Sequence, residues 1–253
     1  MTAPNQSRAK THPTTRSTNS RLPMVNSVVS ISEQAFFSIV TSALEAYKVE
    51  HQLENGDFAA RVETFGHLWG YAQNSIGGQT MYRVVWADTC TAVTRDKGSI
   101  SCGDAPQEIK QSFIDTFFPE VTFLGDYHSH PYSYQDDEIK TELELERGGY
   151  YRFSDADFRA VKQQQDGGLD YRVGLVATVF ERDEKIKRAM KILDEESALR
   201  FQVGSVTIWL KAYVWTEDEN LKYRRKADRM VHLVCPSLNV FAGMRDGWAG
   251  LPQ

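Results

Sequence analysis

Two histidines separated by a single residue, His128 and His130, close an apolar stretch that reads VTFLGDY at 121–127. Neutral imidazole is the commonest metal-binding side chain, and alternate residues of a strand face the same side. If this stretch is a strand, both rings can reach one ion. Such a pair indicates zinc, which proteins bind through nitrogen, sulfur and carboxylate ligands.

A hydrolytic zinc site needs a third protein ligand and one position left for water. Two candidate carboxylates follow the histidines in the same pattern, Ser-x-x-Asp, at Ser133–Asp136 and at Ser154–Asp157. Each pattern is also typical of a helix start, where the serine caps the first turn and the acid lies near the positive end of the helix dipole. The pattern alone leaves both carboxylates open as ligands.

The elements that must position these residues follow from hydrophobic periodicity, caps and turn residues. Helices are predicted at 32–50 with Ser32 as N-cap, at 104–118, at 154–165 and at 221–234, and strands at 60–72, 80–89, 121–127, 171–180 and 205–215. Segment 182–204 fits either a helix or a hairpin. This order predicts an α/β fold with a mixed central β-sheet flanked by helices.

An upstream segment completes a composite signature. Residues 63–70 read Glu-Thr-Phe-Gly-His-Leu-Trp-Gly, an acid followed by Gly-x-Leu-x-Gly, and the downstream parts are His-Ser-His-Pro and Ser-x-x-Asp. Together they resemble the JAMM (MPN+) family of zinc metalloproteases over roughly residues 30–180. The resemblance implies that family's cytidine-deaminase-like architecture.

The resemblance also implies a role for each residue. His128, His130 and Asp157 would hold zinc, and Glu63 would accept the proton of the bound water and pass it to the leaving amine. Ser154 would donate a hydrogen bond to the oxyanion that develops on the scissile carbonyl.

One departure from the family concerns spacing. Ser154 lies 24 residues after His130, much further than family members usually place it, so we interpret 132–152 as an insertion. The rival interpretation makes Asp136 the ligand. Asp157 is favoured because Phe158 and Val161 supply an apolar helical face, followed by the glycine stop and strand that the family's fold requires. The acidic insertion could be a lid that contacts the substrate or a solvated surface helix whose Ile139, Leu143 and Leu145 pack inward.

Two further residues near these motifs, Asp126 and His67, are not expected to belong to the metal site. Asp126 could orient a zinc ligand, but we expect its strand position to point away from the histidine pair. His67, in the strand next to Glu63, is expected to be a core residue, since a lone strand histidine has no partner at metal-ligand spacing.

The substrate follows only from the resemblance. It implies peptide or isopeptide hydrolysis, usually removal or processing of a ubiquitin-like protein, and some bacterial members occur with operon-encoded conjugation proteins, including ones in antiviral defence. The alternatives are a same-fold zinc hydrolase of a smaller substrate, such as a sulfur carrier or a cell-wall peptide, and a non-catalytic MPN scaffold. Scaffolds usually lose the ligands that this chain retains.

Composition sets the remaining expectations. The net charge is −5, and because four basic residues and no acid lie in the first 23, the rest carries about −9, which disfavours nucleic acid as a partner. We expect a disordered basic tail at 1–25, the metalloprotease domain at 26–235 and a C-terminal extension at 236–253. No apolar run is long enough to span a membrane, and three unpaired cysteines suggest a cytoplasmic protein with reduced thiols.

Overall fold

The computed structural model describes residues 27–74, 79–96, 99–182, 189–217, 224–226 and 231–238. Its helices are α1 (Glu33–Lys48), α2 (Asp104–Phe117), α3 (Glu142–Gly148) and α4 (Asp155–Asp166). Its strands are β1 (Ser27–Ile31), β2 (His51–Gln52), β3 (Phe58–Ala59), β4 (Phe65–Asn74), β5 (Thr80–Thr89), β6 (Val93–Asp96), β7 (Ser99–Cys102), β8 (Thr122–Ser133), β9 (Val173–Glu181), β10 (Lys191–Leu193), β11 (Ala198–Val203), β12 (Val206–Glu217), β13 (Arg224–Lys226) and β14 (Val231–Val234).

One large sheet dominates the described chain and has the order β10-β11-β12-β9-β8-β4-β5-β1-β14, with β13 paired to β12. The pairs β8–β9, β1–β5 and β1–β14 are parallel, and the other pairs of this sheet are antiparallel. Two short ladders, β2–β3 and β6–β7, lie outside it. The predicted mixed α/β fold with helices around a central sheet is confirmed.

Helix α1 shows how the sequence builds the main core. Ser32 accepts a hydrogen bond from the backbone N–H of Ala35 at 3.1 Å, so the predicted N-cap is confirmed. Ile39 and Ala43, one turn apart, are buried and join the large hydrophobic cluster between α1 and the sheet. Burial of one helical stripe fixes α1 against β5 and β9.

Strand β8, which carries the two histidines, is central in the sheet and buried over most of its length. Its fourth residue must be glycine: Gly125 has φ = +146°, and a Cβ there would overlap the carbonyl oxygen of Val173 on β9. The register between β4 and β8 also shifts at Leu68/Trp69. Such bulges bend a strand locally and re-aim its side chains.

The C-terminal part corrects one prediction and resolves another. Residues 231–234 form strand β14, which pairs in parallel with β1, and 224–226 form β13, so a helix over 221–234 is wrong. The burial of β14 alternates along the strand, as expected when one face of a strand lies in the core. Its four residues are too few for the sequence alone to show this alternation. The ambiguous segment contains the hairpin β10–β11. The predicted tail at 1–25 lies outside the described residues, as does the C-terminal extension apart from 236–238.

Residues 132–152 pack against the sheet through acids as well as apolar side chains. Ile139 and Leu145 are buried as predicted, whereas Leu143 is 53% exposed. Glu142, only 3% exposed, forms an ion pair with Arg182 at 2.9 Å. Three partners hold Glu146, one turn further along the helix: it accepts from Arg200 at 2.8 Å, from Trp209 at 3.2 Å and from Lys191 at 3.2 Å. Helix α3 is therefore anchored and not merely solvated.

The cysteines differ from expectation. Cys90, which follows β5, and Cys102, at the end of β7, form a disulfide, so the prediction of three reduced thiols is wrong for this pair. Cys235 is free and buried. Among the described helices, none has the length and apolar character needed to cross a membrane.

Candidate metal centre and cleft

His128 and His130 lie on one face of β8, as their spacing predicts. Both are buried, with exposed fractions of 7% and 8%, and their Nε2 atoms are 3.1 Å apart. The residue between them, Ser129, points to the opposite face, where its hydroxyl accepts the backbone N–H of Thr64 at 2.9 Å. The strand thus presents two imidazole nitrogens at one point while its other face ties down a neighbouring segment.

Asp157 reaches the histidines from the first turn of α4. Its Oδ1 lies 3.4 Å from His128 Nε2, and its Oδ2 lies 3.4 Å from His130 Nε2. The same carboxylate closes a capping box with Ser154: it accepts the backbone N–H of Ser154 at 2.6 Å, and the Ser154 hydroxyl accepts the backbone N–H of Asp157 at 3.3 Å. Capping and ligation are therefore compatible readings of this Ser-x-x-Asp.

A hydrophobic staple sets the direction from which α4 enters. Phe153, directly before the cap, packs on Phe158 with ring centroids 5.5 Å apart, and the backbone N–H of Phe153 donates to the hydroxyl of Tyr213 at 2.9 Å. The Phe153 ring also lies 5.0 Å from the ring of His128. Phe153 therefore contacts both the helix that carries Asp157 and the strand that carries His128. Its sequence signal is an apolar residue directly before an N-cap.

The group of His128, His130 and Asp157 could hold a metal ion. One ligand atom from each lies within 4.8 Å of the others. Burial opposes ionisation of Asp157, but the two histidines outweigh it and hold the pKa of the carboxyl far below its usual value. For His128, burial lowers the pKa, while the hydrogen bond and charge of Asp157 reverse this and raise it overall. A cation placed between the buried carboxylate and the two imidazole nitrogens would stabilise this arrangement.

The other Ser-x-x-Asp carboxylate lies elsewhere. Asp136 forms an ion pair with Arg61, and its side chain is 56% exposed. Its serine, Ser133, accepts the backbone N–H of Gln135 at 3.1 Å in a turn and caps no helix. Asp136 is not part of the His-His-Asp group.

Glu63 lies just before β4 and lines the same cleft as His128 and Asp157. Its neighbour Thr64 is fixed to β8, because Ser129 donates its backbone N–H to the carbonyl of Thr64 at 3.0 Å. Burial raises the pKa of Glu63 to about 7, although the nearby His128 lowers it. A carboxyl group with that pKa can accept and release a proton near neutral pH.

Asp126 is placed differently from the expectation. It lines the cleft on the same face of β8 as His128, because residues i and i+2 of a strand share a face, so the prediction that it points away is wrong. Its Oδ1 accepts the hydroxyl of Tyr171 at 2.7 Å. His67 is buried, as predicted, and lies 3.6 Å from Asp88 and 3.4 Å from Lys110.

The cleft has a volume of about 320 Å³ and is bounded by parts of the chain that are far apart in sequence. Ile100, Ser101 and Cys102 of β7 form one wall, and Val161 and Gln164 of α4 form another. The disulfide ties the β7 wall to the end of β5. This wall could not be predicted from residue spacing, because β7 belongs to a hairpin outside the main sheet.

The chain matches none of the known protein families with which it was compared, and none of the curated protein sequences.

Proposed function

We propose that this protein is a zinc-dependent hydrolase of the JAMM type that cleaves a peptide or isopeptide bond in a ubiquitin-like protein, its precursor or its conjugate. The observation that carries the proposal is a His-His-Asp group together with a separate, partly buried glutamate that lines the same cleft as His128 and Asp157. Hydrolytic zinc sites combine three protein ligands with a general base that does not bind the metal.

Zinc is favoured over magnesium or calcium by the chemistry of the donors. Two imidazoles and one carboxylate form a nitrogen-rich set, whereas magnesium and calcium prefer oxygen ligands. When bound, zinc supplies a Lewis acid that makes a water molecule acidic enough to ionise near neutral pH.

Glu63 would hold and move the proton. With its pKa near 7, its carboxylate can take a proton from water and then deliver it to the nitrogen of the leaving amine. Ser154 would act on the carbonyl oxygen. Its hydroxyl oxygen accepts from Asp157, so its own proton remains for donation to a developing oxyanion.

The shape of the cleft favours an extended chain as substrate. Strand β7 pairs only with β6 in the described part of the protein, and its residues form a wall of the cleft. An extended C-terminal tail could add to a strand of this kind by backbone hydrogen bonds. A ubiquitin-like protein that presents an extended C-terminal tail is a substrate of this kind.

The test uses purified full-length protein, zinc and a linear fusion of a ubiquitin-like protein to a reporter. Glu63→Gln should lower kcat by roughly 10²- to 10⁴-fold, the range for loss of a general base, with about one zinc per chain retained. Glu45→Gln, an exposed glutamate on α1, is the matched control and should leave kcat unchanged. Wild-type protein that binds zinc but cleaves neither fusions nor isopeptide conjugates would contradict the proposal.

A further inference from the structure

The cleft contains a hydrogen-bonded pair of polar side chains, Asp126 and Gln164, that the proposed reaction does not use. Asp126 precedes His128 by two residues on the same face of β8, and Gln164 follows Asp157 by seven residues on α4. Two residues of strand span about 7 Å and seven residues of helix about 10 Å. This pair therefore lies roughly 7–10 Å along the cleft from the metal ligands.

The hydrogen-bond acceptors of the two side chains are only partly used within the described part of the chain. Asp126 is only 6% exposed; its Oδ1 accepts the hydroxyl of Tyr171 at 2.7 Å, and its Oδ2 accepts a long hydrogen bond from Gln164 Nε2 at 3.4 Å. That bond fixes the amide orientation of Gln164, because only nitrogen can donate to a carboxylate. Its Oε1 then remains buried, with no hydrogen-bond partner in the described part of the chain. A buried acceptor without a partner is unfavourable, so a ligand that brings donors is favoured.

The rest of the lining adds charge and apolar surface. Of the described residues that line the cleft, three are acids, Glu63, Asp126 and Asp157, and none is a lysine or arginine. Since Asp157 would bind zinc and Glu63 would carry the proton of the reaction, Asp126 is the carboxylate left for the substrate. Its apolar wall is formed by Phe65, Ile100, Phe153, Ala160 and Val161. A side chain with a methylene stem and a cationic head matches both properties, because such residues pack their stem on apolar surface and keep their head on polar groups.

We propose that Asp126 and Gln164 form a specificity subsite that receives the lysine or arginine side chain of the bound substrate segment. An extended chain advances about 3.3 Å per residue, so the cationic residue lies two or three residues from the scissile carbonyl. The location of that carbonyl depends on the proposed function. The preference for a cationic side chain does not.

Binding tests the subsite independently of catalysis. Zinc-loaded Glu63→Ala protein is titrated with hexapeptides that differ at one position only, arginine against methionine, at successive distances from a C-terminal glycine. Calorimetry should show at least roughly tenfold tighter binding of the arginine peptide at one position, two or three residues from the C-terminus, as expected for hydrogen bonds to a charged group. Adding Asp126→Asn or Gln164→Leu should reduce that preference to less than about threefold and leave the methionine peptide's affinity unchanged.

Asp155→Asn on the exposed first turn of α4 removes the same charge outside the cleft and should keep the full preference. Zinc content of each variant shows whether the metal group is intact. Equal affinities for arginine and methionine at every position, absence of peptide binding, or a preference that survives both substitutions would overturn the subsite. Loss of hydrolysis with a retained arginine preference would instead overturn the proposed function alone.

Discussion

Two segments of this protein share the pattern Ser-x-x-Asp but differ in whether the serine caps a helix and in what the carboxylate contacts. Ser154–Asp157 begins α4 with a reciprocal capping box and brings its carboxylate to both histidines. Ser133–Asp136 continues from β8 into a turn, and its carboxylate pairs with Arg61 at the surface. The comparison shows that the element after the pattern decides its role, because an apolar helical face is needed to dock the cap onto the sheet.

The largest expected difference between the two segments is in zinc binding. Asp157→Ala should leave less than roughly a tenth of a zinc per chain and abolish hydrolysis, since two histidines alone under-coordinate the ion. Asp136→Ala should retain about one zinc and full activity. Elemental analysis after dialysis measures both, and loss of zinc in Asp136→Ala with retention in Asp157→Ala would reverse the ligand assignment.

The two serines sharpen the comparison further. Ser154→Ala should lower kcat by roughly 10²- to 10³-fold, as for loss of an oxyanion donor, and destabilise the fold by about 1 kcal/mol through the lost cap. Ser133→Ala loses only a turn hydrogen bond and should leave kcat unchanged. Steady-state kinetics with parallel denaturant melts separates the two effects. An unaltered kcat in Ser154→Ala would remove its catalytic role.

Glu63 in the cleft and Glu146 in the insertion should have opposite effects on stability as pH rises. In metal-free protein the pKa of Glu63 is raised from 4.5 to about 7, so its stabilising contribution is complete below pH 4.5 and is lost as pH rises through 7. Glu63→Gln should therefore stabilise the chelated protein at pH 8, by up to about 3 kcal/mol.

The pKa of Glu146 changes in the other direction. Burial raises it, but hydrogen bonds from Trp209 and Lys191 and the charge of Arg200 outweigh burial and lower it. Its contribution is present above its ordinary pKa and lost as pH falls through the lowered value, so Glu146→Gln should destabilise the protein at pH 7. Urea melts at pH 5 and 8 measure both variants. The same sign for both would contradict these environments.

The smallest effect is expected at the Arg61–Asp136 ion pair. Its side chains are 34% and 56% exposed, so solvent and salt screen the attraction. Arg61→Ala should change the free energy of unfolding by no more than about 1 kcal/mol, less at high salt. A larger loss in denaturant melts would show that this pair anchors the insertion.

Local pattern predicted the parts of the site that depend on periodicity. The spacing of His128 and His130, the cap at Ser154 and the apolar face that includes Val161 each follow from one strand or helix. The same periodicity places Asp126 on the face of His128, so the prediction that it points away is wrong.

Long-range pairing accounts for most of the remaining differences. Strand β14 is defined by its parallel partner β1, some 200 residues earlier, and its four residues carry too little pattern to exclude a helix. The disulfide partner of Cys90 and the β7 wall of the cleft also depend on tertiary contacts. In the insertion, the sequence alone predicts that Glu142 and Glu146 are exposed. They point inward because Arg182 and Arg200, distant in the sequence, form ion pairs with them.

The central claim is that His128, His130 and Asp157 hold one zinc ion. Crystals of zinc-loaded protein, measured on both sides of the zinc absorption edge, test it directly. The anomalous difference map should show one peak per chain about 2.0–2.2 Å from both Nε2 atoms and a carboxylate oxygen of Asp157. A peak bound by Asp136, or none at the histidine pair, would contradict the account.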